Sequence, residues 1–140
     1  VGSDEQIRIV SDILQPYVQR GWIRKRDRDY LERNKANFHI AKIDGIAVGC
    51  LERINLDGDT VELGALAVAT RYRNQQIGFF LIRSFVELAG KQGYKRIISL
   101  TRNRKLQKIY RSFGFVESTP EDLKKRKERS PEVPMYVYHL

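Results

Sequence analysis

Hydrophobic and polar positions follow two different periods along this chain. Near its start, apolar residues recur at helical spacing between residues 7 and 18. A capping-box pattern beginning at Ser3 precedes them, and Gly21 follows as a stop signal. The pattern predicts a first helix that ends before Gly21, and Asp27 is placed to cap a second, short helix.

From Phe38 onward the period changes to two, which is typical of half-buried strands. Asp44-Gly45 is a strong hairpin signal, and a second turn signal lies at residues 57–59. We therefore expect an antiparallel meander of three strands within residues 38–69, with the third strand running from Thr60 to Ala69.

The remainder alternates between helical and strand patterns. A helix over about residues 77–92 precedes a short strand at 96–100, a helix follows from Asn103, and a strand over 133–140 ends the chain. Residues 117–129 are polar and predict a loop with a short exposed helix. This order predicts one α/β domain over 1–140 with a mixed sheet. The apolar face of the 77–92 helix is expected to comprise Phe80, Leu81, Phe85, Leu88 and Ala89.

Charge and rare residue types narrow the classes of function. The 140 residues include 26 Lys plus Arg and 17 Asp plus Glu, so the formal net charge is +9. This charge favours anionic partners such as phosphates, carboxylates or nucleic acid. With one cysteine and two histidines, neither a disulfide nor a metal site is expected, and Cys50 is interpreted as a small buried hydrophobic residue. No apolar run reaches the ~20 residues of a membrane helix, so we expect no membrane partner and a cytoplasmic location.

The junction at residues 68–80 is the first candidate for chemistry. A helix start presents unpaired N–H groups and a positive dipole end, which together bind phosphate. Gly78 allows close approach of a ligand to the backbone, and Arg71 and Arg73 add positive charge. The same pattern also fits an ordinary loop with solvated arginines, so both interpretations stand at this point.

Two segments resemble the GNAT acetyltransferases. Residues 72–78, Tyr-Arg-Asn-Gln-Gln-Ile-Gly, resemble motif A of that family, with Arg73, Gln76 and Gly78 at its three key positions. Residues 110–115, Tyr-Arg-Ser-Phe-Gly-Phe, are similar to the family's Tyr-x-x-x-Gly-Phe ending. The resemblance covers the order of elements from residue 3 to 140. It implies a GNAT fold with a mostly antiparallel central sheet and flanking helices, whose usual first strand would lie upstream of Val1.

The resemblance implies acetyl-CoA as cosubstrate and direct attack of an amine on the thioester, with no metal. The pyrophosphate would lie on the motif A backbone, and the pantetheine arm would run along the third strand. Gln76 stands where the family usually has Gly, at a cost of about 1 kcal/mol if the position requires a positive φ. The implied cofactor residues are Leu66, Ala67, Val68, Arg73, Asn74, Gln75, Gln76, Ile77 and Gly78, and Asn103 either contacts the pantetheine or only caps its helix.

The same resemblance suggests two catalytic residues. Glu62 on the third strand is the candidate general base, and a solvated strand carboxylate is its alternative interpretation. Tyr110 is the candidate acid, because a phenol with an ordinary pKa near ~10 suits protonation of a thiolate. Its alternative interpretation is a core aromatic residue.

A finer resemblance is to the acetyltransferase domain of bacterial N-acetylglutamate synthase. It rests on residues 21–32, on Glu62-Leu63-Gly64-Ala65-Leu66-Ala67-Val68, and on the tail from Pro120 to Leu140. It implies L-glutamate as the anionic substrate, arginine biosynthesis as the context, and carboxylate contacts from Lys25 or Arg26, Arg129 and Ser130. Arginine forks suit carboxylates, although solvated charge explains the same basic runs.

Other functions remain open at this stage. The chain could acetylate another amine, such as a protein N-terminus, a lysine or a polyamine, or it could bind acetyl-CoA without turnover. Nucleic-acid binding has only the basic runs in its favour and no recognition motif. In the resembled family the terminal strand often pairs across a subunit interface, so a homodimer is an expectation. Any arginine regulation would need an upstream or separate domain.

Overall fold

The computed structural model describes residues 3–73, 76–118 and 133–140. Its helices are α1 (Ser3–Gln19), α2 (Arg28–Asn34), α3 (Ile77–Lys91) and α4 (Arg104–Phe113). Its strands are β1 (Phe38–Ile43), β2 (Ile46–Asn55), β3 (Thr60–Val68), β4 (Arg96–Leu100), β5 (Val116–Glu117) and β6 (Met135–His139). Short 3-10 turns at Lys35–Asn37 and Thr70–Tyr72 lead into β1 and toward α3.

The six strands form one mixed sheet in the order β1-β2-β3-β4-β6-β5. Only β3 and β4 run parallel, and the other four neighbouring pairs are antiparallel. The predicted α/β class and mostly antiparallel sheet are therefore confirmed. Residues 3–37 contain two helices and a 3-10 turn but no strand.

Local turn and cap chemistry explains the element boundaries. Asp44 and Gly45 have φ values of 51° and 79°, which is the doubly positive pattern of the tight hairpin turn between β1 and β2. The Asp27 carboxylate accepts the Tyr30 N–H at 2.8 Å and caps α2 as predicted. At the next turn, the Asp57 carboxylate accepts the backbone N–H groups of residues 59 and 60.

Helices cover both faces of the sheet. Helices α3 and α4 pack on one face through a core that includes Val61, Leu63, Ile82 and Tyr110. On the other face, α1 and α2 pack through a second core that includes Cys50. Burial raises the pKa of the Cys50 thiol to about 12, so this residue is the inert small hydrophobic residue expected from the sequence.

Several predicted details need correction. Helical spacing predicts Phe80 on the buried face of α3, but it is half exposed, and Ile77 and Ile82 are buried on this helix instead. The pattern missed strand β5, whose two residues are both exposed and carry no alternation. Strand β3 ends at Val68, one residue before the predicted end. The predicted polar loop largely lies outside the described residues, within which no helix has the length and apolarity to cross a membrane.

Candidate active site

A wedge opens between β3 and β4 at the carboxyl ends of the two strands. Their parallel pairing is limited to residues 60–62 and 96–98. Beyond it, β3 continues to Val68 beside β2, while β4 continues to Leu100 beside β6. Within the described residues, the edge of β3 that faces β4 therefore has no strand partner past Glu62. Its backbone can pair with an extended ligand there.

A β-bulge interrupts β3 inside this wedge. Cys50 lies opposite Ala67, whereas Glu52 lies opposite Gly64, so Ala65 and Leu66 together face one residue of β2. Ala65 takes a φ of +48°, a conformation that costs a non-glycine residue about 1 kcal/mol. A bulge leaves its extra residue unpaired and re-aims the strand. Backbone strain of this kind clusters at ligand sites, and here Ala65 lines a cavity inside the wedge.

A cleft of about 490 Å³ fills the outer part of the wedge. Its walls come from the end of β3, the start of α3, the β4–α4 junction and the end of α1. The structure brings eight of the ten predicted cofactor residues to this cleft: Leu66, Ala67, Val68, Arg73, Gln76, Ile77, Gly78 and Asn103. The other two, Asn74 and Gln75, lie outside the described residues.

Helix α3 begins at the wall of this cleft. Gln76 is its N-cap residue with φ 61° and ψ 18°, and its side chain makes no capping hydrogen bond. The first turn carries no acidic residue, so the α3 amide end is suited to an anion. A Cβ added to Gly78 would meet Ile109 Cδ1 at 3.6 Å, which is ordinary contact. The protein alone therefore does not require glycine at this position.

A smaller cavity of about 40 Å³ continues the wedge toward the α1–α2 face. It shares five lining residues with the cleft, namely Tyr17, Trp22, Leu66, Asn103 and Leu106. Glu62 lies in its wall and is only 1% exposed. This burial excludes the interpretation of Glu62 as a solvated strand carboxylate. A buried carboxylate beside a ligand-sized cleft is the arrangement expected of a general base.

Tyr110 lies in the wall of the same cavity and is fully buried. Its phenol oxygen is 2.7 Å from Ser99 Oγ, and Ser99 Oγ donates to the Leu63 carbonyl at 2.8 Å. Because the serine has only one proton to donate, the phenol donates to Ser99. Burial raises the pKa of Tyr110, so its phenol stays protonated. Tyr110 is thus a core aromatic residue whose phenol is protonated at the inner end of the wedge. Its raised pKa makes it a weaker acid than the ordinary phenol on which the expectation from the sequence rests.

Arg26 enters the small cavity from the segment before α2 and is buried. Its Nε donates to Glu52 Oε1 at 2.7 Å, and its Nη1 donates to the Arg24 carbonyl at 2.8 Å. The Tyr30 hydroxyl donates to the other carboxylate oxygen of Glu52. Burial, followed by the Glu52 contact, raises the pKa of Tyr30. The guanidinium is thereby fixed with Nη2 toward Gly64, where a Cβ would lie 3.7 Å from it.

Of the predicted substrate residues, the structure places one in a cavity. Arg26 reaches the small cavity, while Lys25 is exposed and does not line it. Arg129 and Ser130 lie outside the described residues. Asn103 has the capping role that was one of its two interpretations, because its Oδ1 accepts the N–H groups of Lys105 and Leu106.

Sequence reasoning missed three groups that line or support these walls. Tyr17 on α1 donates to the Val68 carbonyl at 2.7 Å, and Arg73 packs over its ring. Ser99 supports the Tyr110 phenol, and Glu52 holds Arg26. Tyr17 fits the apolar stripe of α1 and Glu52 fits a strand pattern. Only the three-dimensional meeting of elements reveals their contacts.

The protein-family model described as the Acetyltransferase (GNAT) family matches residues 7–115. The chain belongs to the GNAT acetyltransferase family. Its curated relatives include proteins named "Amino-acid acetyltransferase" from Pseudomonas fluorescens, 29% identical over 120 residues, and from Actinobacillus pleuropneumoniae, 28% identical over 134 residues. These alignments cover 85% and 89% of this GNAT chain but only 27% and 30% of the two relatives. The chain thus spans less than a third of their length.

Solved structures of other proteins share the GNAT fold of this chain. N-acetylglutamate synthase from Neisseria gonorrhoeae, complexed with coenzyme A and N-acetyl-glutamate, matches with a TM-score of 0.84 at 23% identity, over 94% of this chain and 32% of that one. A Mycobacterium tuberculosis protein in complex with CoA matches with a TM-score of 0.80 at 16% identity, over 97% of this chain and 95% of that one. At these identities the likeness establishes the fold.

Proposed function

We propose that this GNAT chain is an acetyl-CoA-dependent N-acetyltransferase that acts on the α-amine of an amino acid, with L-glutamate as substrate. The observation that carries the proposal is the meeting, in one wedge, of a cofactor-sized cleft and the buried Glu62 carboxylate. The names of the curated relatives and the CoA bound in similar structures support the reaction class.

Acetyl-CoA is the proposed cosubstrate, and the residues present fit it. The amide end of α3 is suited to the pyrophosphate, and the edge of β3 that faces β4, from Leu66 to Val68, is suited to the pantetheine arm. When bound, acetyl-CoA supplies an activated thioester. The bulge near Ala65, which lines the inner cavity, is proposed to orient this group.

Glu62 and Tyr110 divide the proton transfers in the proposed reaction. Glu62 accepts a proton from the substrate ammonium, so that the nitrogen lone pair can attack the thioester carbon. As the new C–N bond forms and the C–S bond breaks, the leaving thiolate takes the proton of the Tyr110 phenol, and the second proton of the attacking nitrogen returns to Tyr110. Glu62 then releases the first proton to solvent. The buried Cys50 thiol, with its raised pKa, is not suited to serve as a nucleophile, in agreement with direct transfer.

Arg26 supplies the proposed contact to a substrate carboxylate, through the Nη2 side of its fixed guanidinium. Because Nε and Nη1 already hold protein oxygens, this contact is made from one nitrogen rather than through a full fork. Arg129 and Ser130 are proposed to bind the second carboxylate of glutamate. We further propose that the reaction belongs to arginine biosynthesis in the cytoplasm, and that the domain acts as a homodimer or with a separate regulatory domain.

Substitution of the proposed base tests the assignment. Glu62→Gln should lower kcat about 100-fold, because general-base catalysis contributes about that factor or more, while CoA affinity changes little. Glu87→Gln, on the exposed face of α3, is the matched control and should retain wild-type kcat. Steady-state kinetics with acetyl-CoA and L-glutamate, combined with CoA titration calorimetry, separate the two effects. Unchanged kcat, or loss of CoA binding, would remove Glu62 from the base role.

A further inference from the structure

The part of the cleft lining that comes from the β4–α4 junction and the end of α1 is strongly cationic. Arg102, Arg104 and Lys105 at the β4–α4 junction line the cleft together with Arg20 from the end of α1. We call these four residues the cationic wall. All four side chains are exposed, and the Arg20 guanidinium packs 5.1 Å from the centre of the Trp22 ring, another residue of the cleft.

The local structure does not account for this concentration of charge. None of the four residues takes part in a salt bridge within residues 3–73, 76–118 and 133–140. Arg104 and Lys105 occupy the first turn of α4, which contains no acidic residue. Cations at a helix start oppose the helix dipole. An anionic ligand in the cleft would offset this unfavourable arrangement.

The exposed side chains are the main groups left for such a ligand, because the helix cap uses two of the first amides of α4. Asn103 Oδ1 already accepts the N–H groups of Lys105 and Leu106. Arginine and lysine side chains that flank a capped helix start can close around a phosphoryl group from several directions.

The chemistry of the cosubstrate identifies a suitable anion. Coenzyme A carries a pyrophosphate, which the proposed function places at the start of α3, and a separate phosphate on the ribose 3′-oxygen. The wedge holds the end of β3 and the β4–α4 junction on opposite sides. CoA in this cleft can therefore place its pyrophosphate at the start of α3 and its 3′-phosphate at the β4–α4 junction, which lines the same cleft.

We propose that the cationic wall binds the 3′-phosphate of coenzyme A and makes this chain discriminate CoA from 3′-dephospho-CoA. The inference rests on the proposed function, since it requires CoA in the cleft. It adds to that function a subsite for the 3′-phosphate and a selection for CoA over its dephosphorylated form.

Titration calorimetry of the 140-residue chain with CoA and with 3′-dephospho-CoA tests the inference without turnover. The wild-type chain should bind CoA at least about tenfold more tightly, as expected for hydrogen bonds to a charged group. The variant Arg102→Gln/Arg104→Gln/Lys105→Gln retains Asn103 and hence the helix cap. It should bind both ligands with affinities within about twofold of each other, mainly by losing CoA affinity.

A charge-matched control separates a local site from general attraction. Lys42→Gln/Lys91→Gln/Lys108→Gln removes the same charge from exposed positions that do not line the cleft, and it should keep the wild-type preference for CoA. Equal wild-type affinities for the two ligands, or a preference that survives in the cationic-wall variant, would overturn the subsite. Binding of neither ligand would overturn the proposed function and the subsite with it.

Discussion

At the scale of single residues, Gly78 separates the needs of the fold from those of the cofactor. Its φ is not positive, and an added Cβ would make only ordinary contacts with Ile109 and Val68. Gly78→Ala should therefore leave the protein as stable or more stable, by up to about 1 kcal/mol, because alanine is the better helix former. The added methyl group should weaken CoA binding about tenfold by crowding the ligand.

Thermal unfolding and CoA titration calorimetry, run on the same Gly78→Ala preparation, measure both effects. A variant that binds CoA as tightly as wild type would show that the ligand does not approach the backbone at this position. A large loss of stability would instead assign the glycine to the fold.

Gln76 has a strained backbone conformation immediately before α3. The sequence predicts a cost if the position requires a positive φ, and the structure has φ 61° there. Gln76→Gly should stabilise the protein by about 1 kcal/mol, since the left-handed conformation costs a non-glycine residue about that much. Urea unfolding measures this difference, and Lys108→Gly, at an exposed position within α4, is a control that should destabilise by a similar amount. Equal stability of Gln76→Gly and wild type would contradict the strain.

At the scale of elements, Asn103 links the start of α4 to the cleft. Its Oδ1 caps the helix, which leaves the Nδ2 donor for the pantetheine. Asn103→Asp keeps a capping oxygen but loses this donor, so stability should hold while the KM for acetyl-CoA rises. Asn103→Ala should lose both the capping oxygen and the donor, and the variant should be about 1 kcal/mol less stable.

Thermal melts and steady-state kinetics of these two variants test both roles of Asn103. If Asn103→Asp matches wild type in both stability and KM, Asn103 serves only as a cap. If the Ala variant is as stable as wild type, the cap contributes nothing to the fold.

The elements themselves follow from sequence to a large extent because their signals are local. Asp27 as a cap, Asp44-Gly45 as a hairpin and Gly114 beyond α4 each act over a few residues. The bulge at Ala65 has no such signal, because alanine does not favour a positive φ. Phe80 was misassigned because helical period alone places it beside the buried face, whereas packing against the sheet decides which residues that face includes.

At the scale of the whole molecule, the sequence and its family resemblance predict the α/β class and eight of the residues that line the cleft, but not how the inner cavity is supported. Motif A at residues 72–78 and the segment that begins at Tyr110 are short patterns that contain residues of the site, so the sequence alone reveals them. The contacts of Glu52 with Arg26 and of Tyr17 with Val68 join residues 26 and 51 positions apart. Such long-range pairs depend on how the helices lie across the sheet, which one sequence does not specify.

Release of CoA thiol from acetyl-CoA is the measurement that tests the central claim most directly. The assay presents the chain with L-glutamate beside L-aspartate, L-lysine, other amino acids, a polyamine and a peptide with a free N-terminus. The account predicts release that saturates with L-glutamate and is much smaller with the other amines. Release with a different amine would contradict the proposed substrate, and the absence of release with any amine, despite CoA binding, would contradict the proposed enzymatic activity.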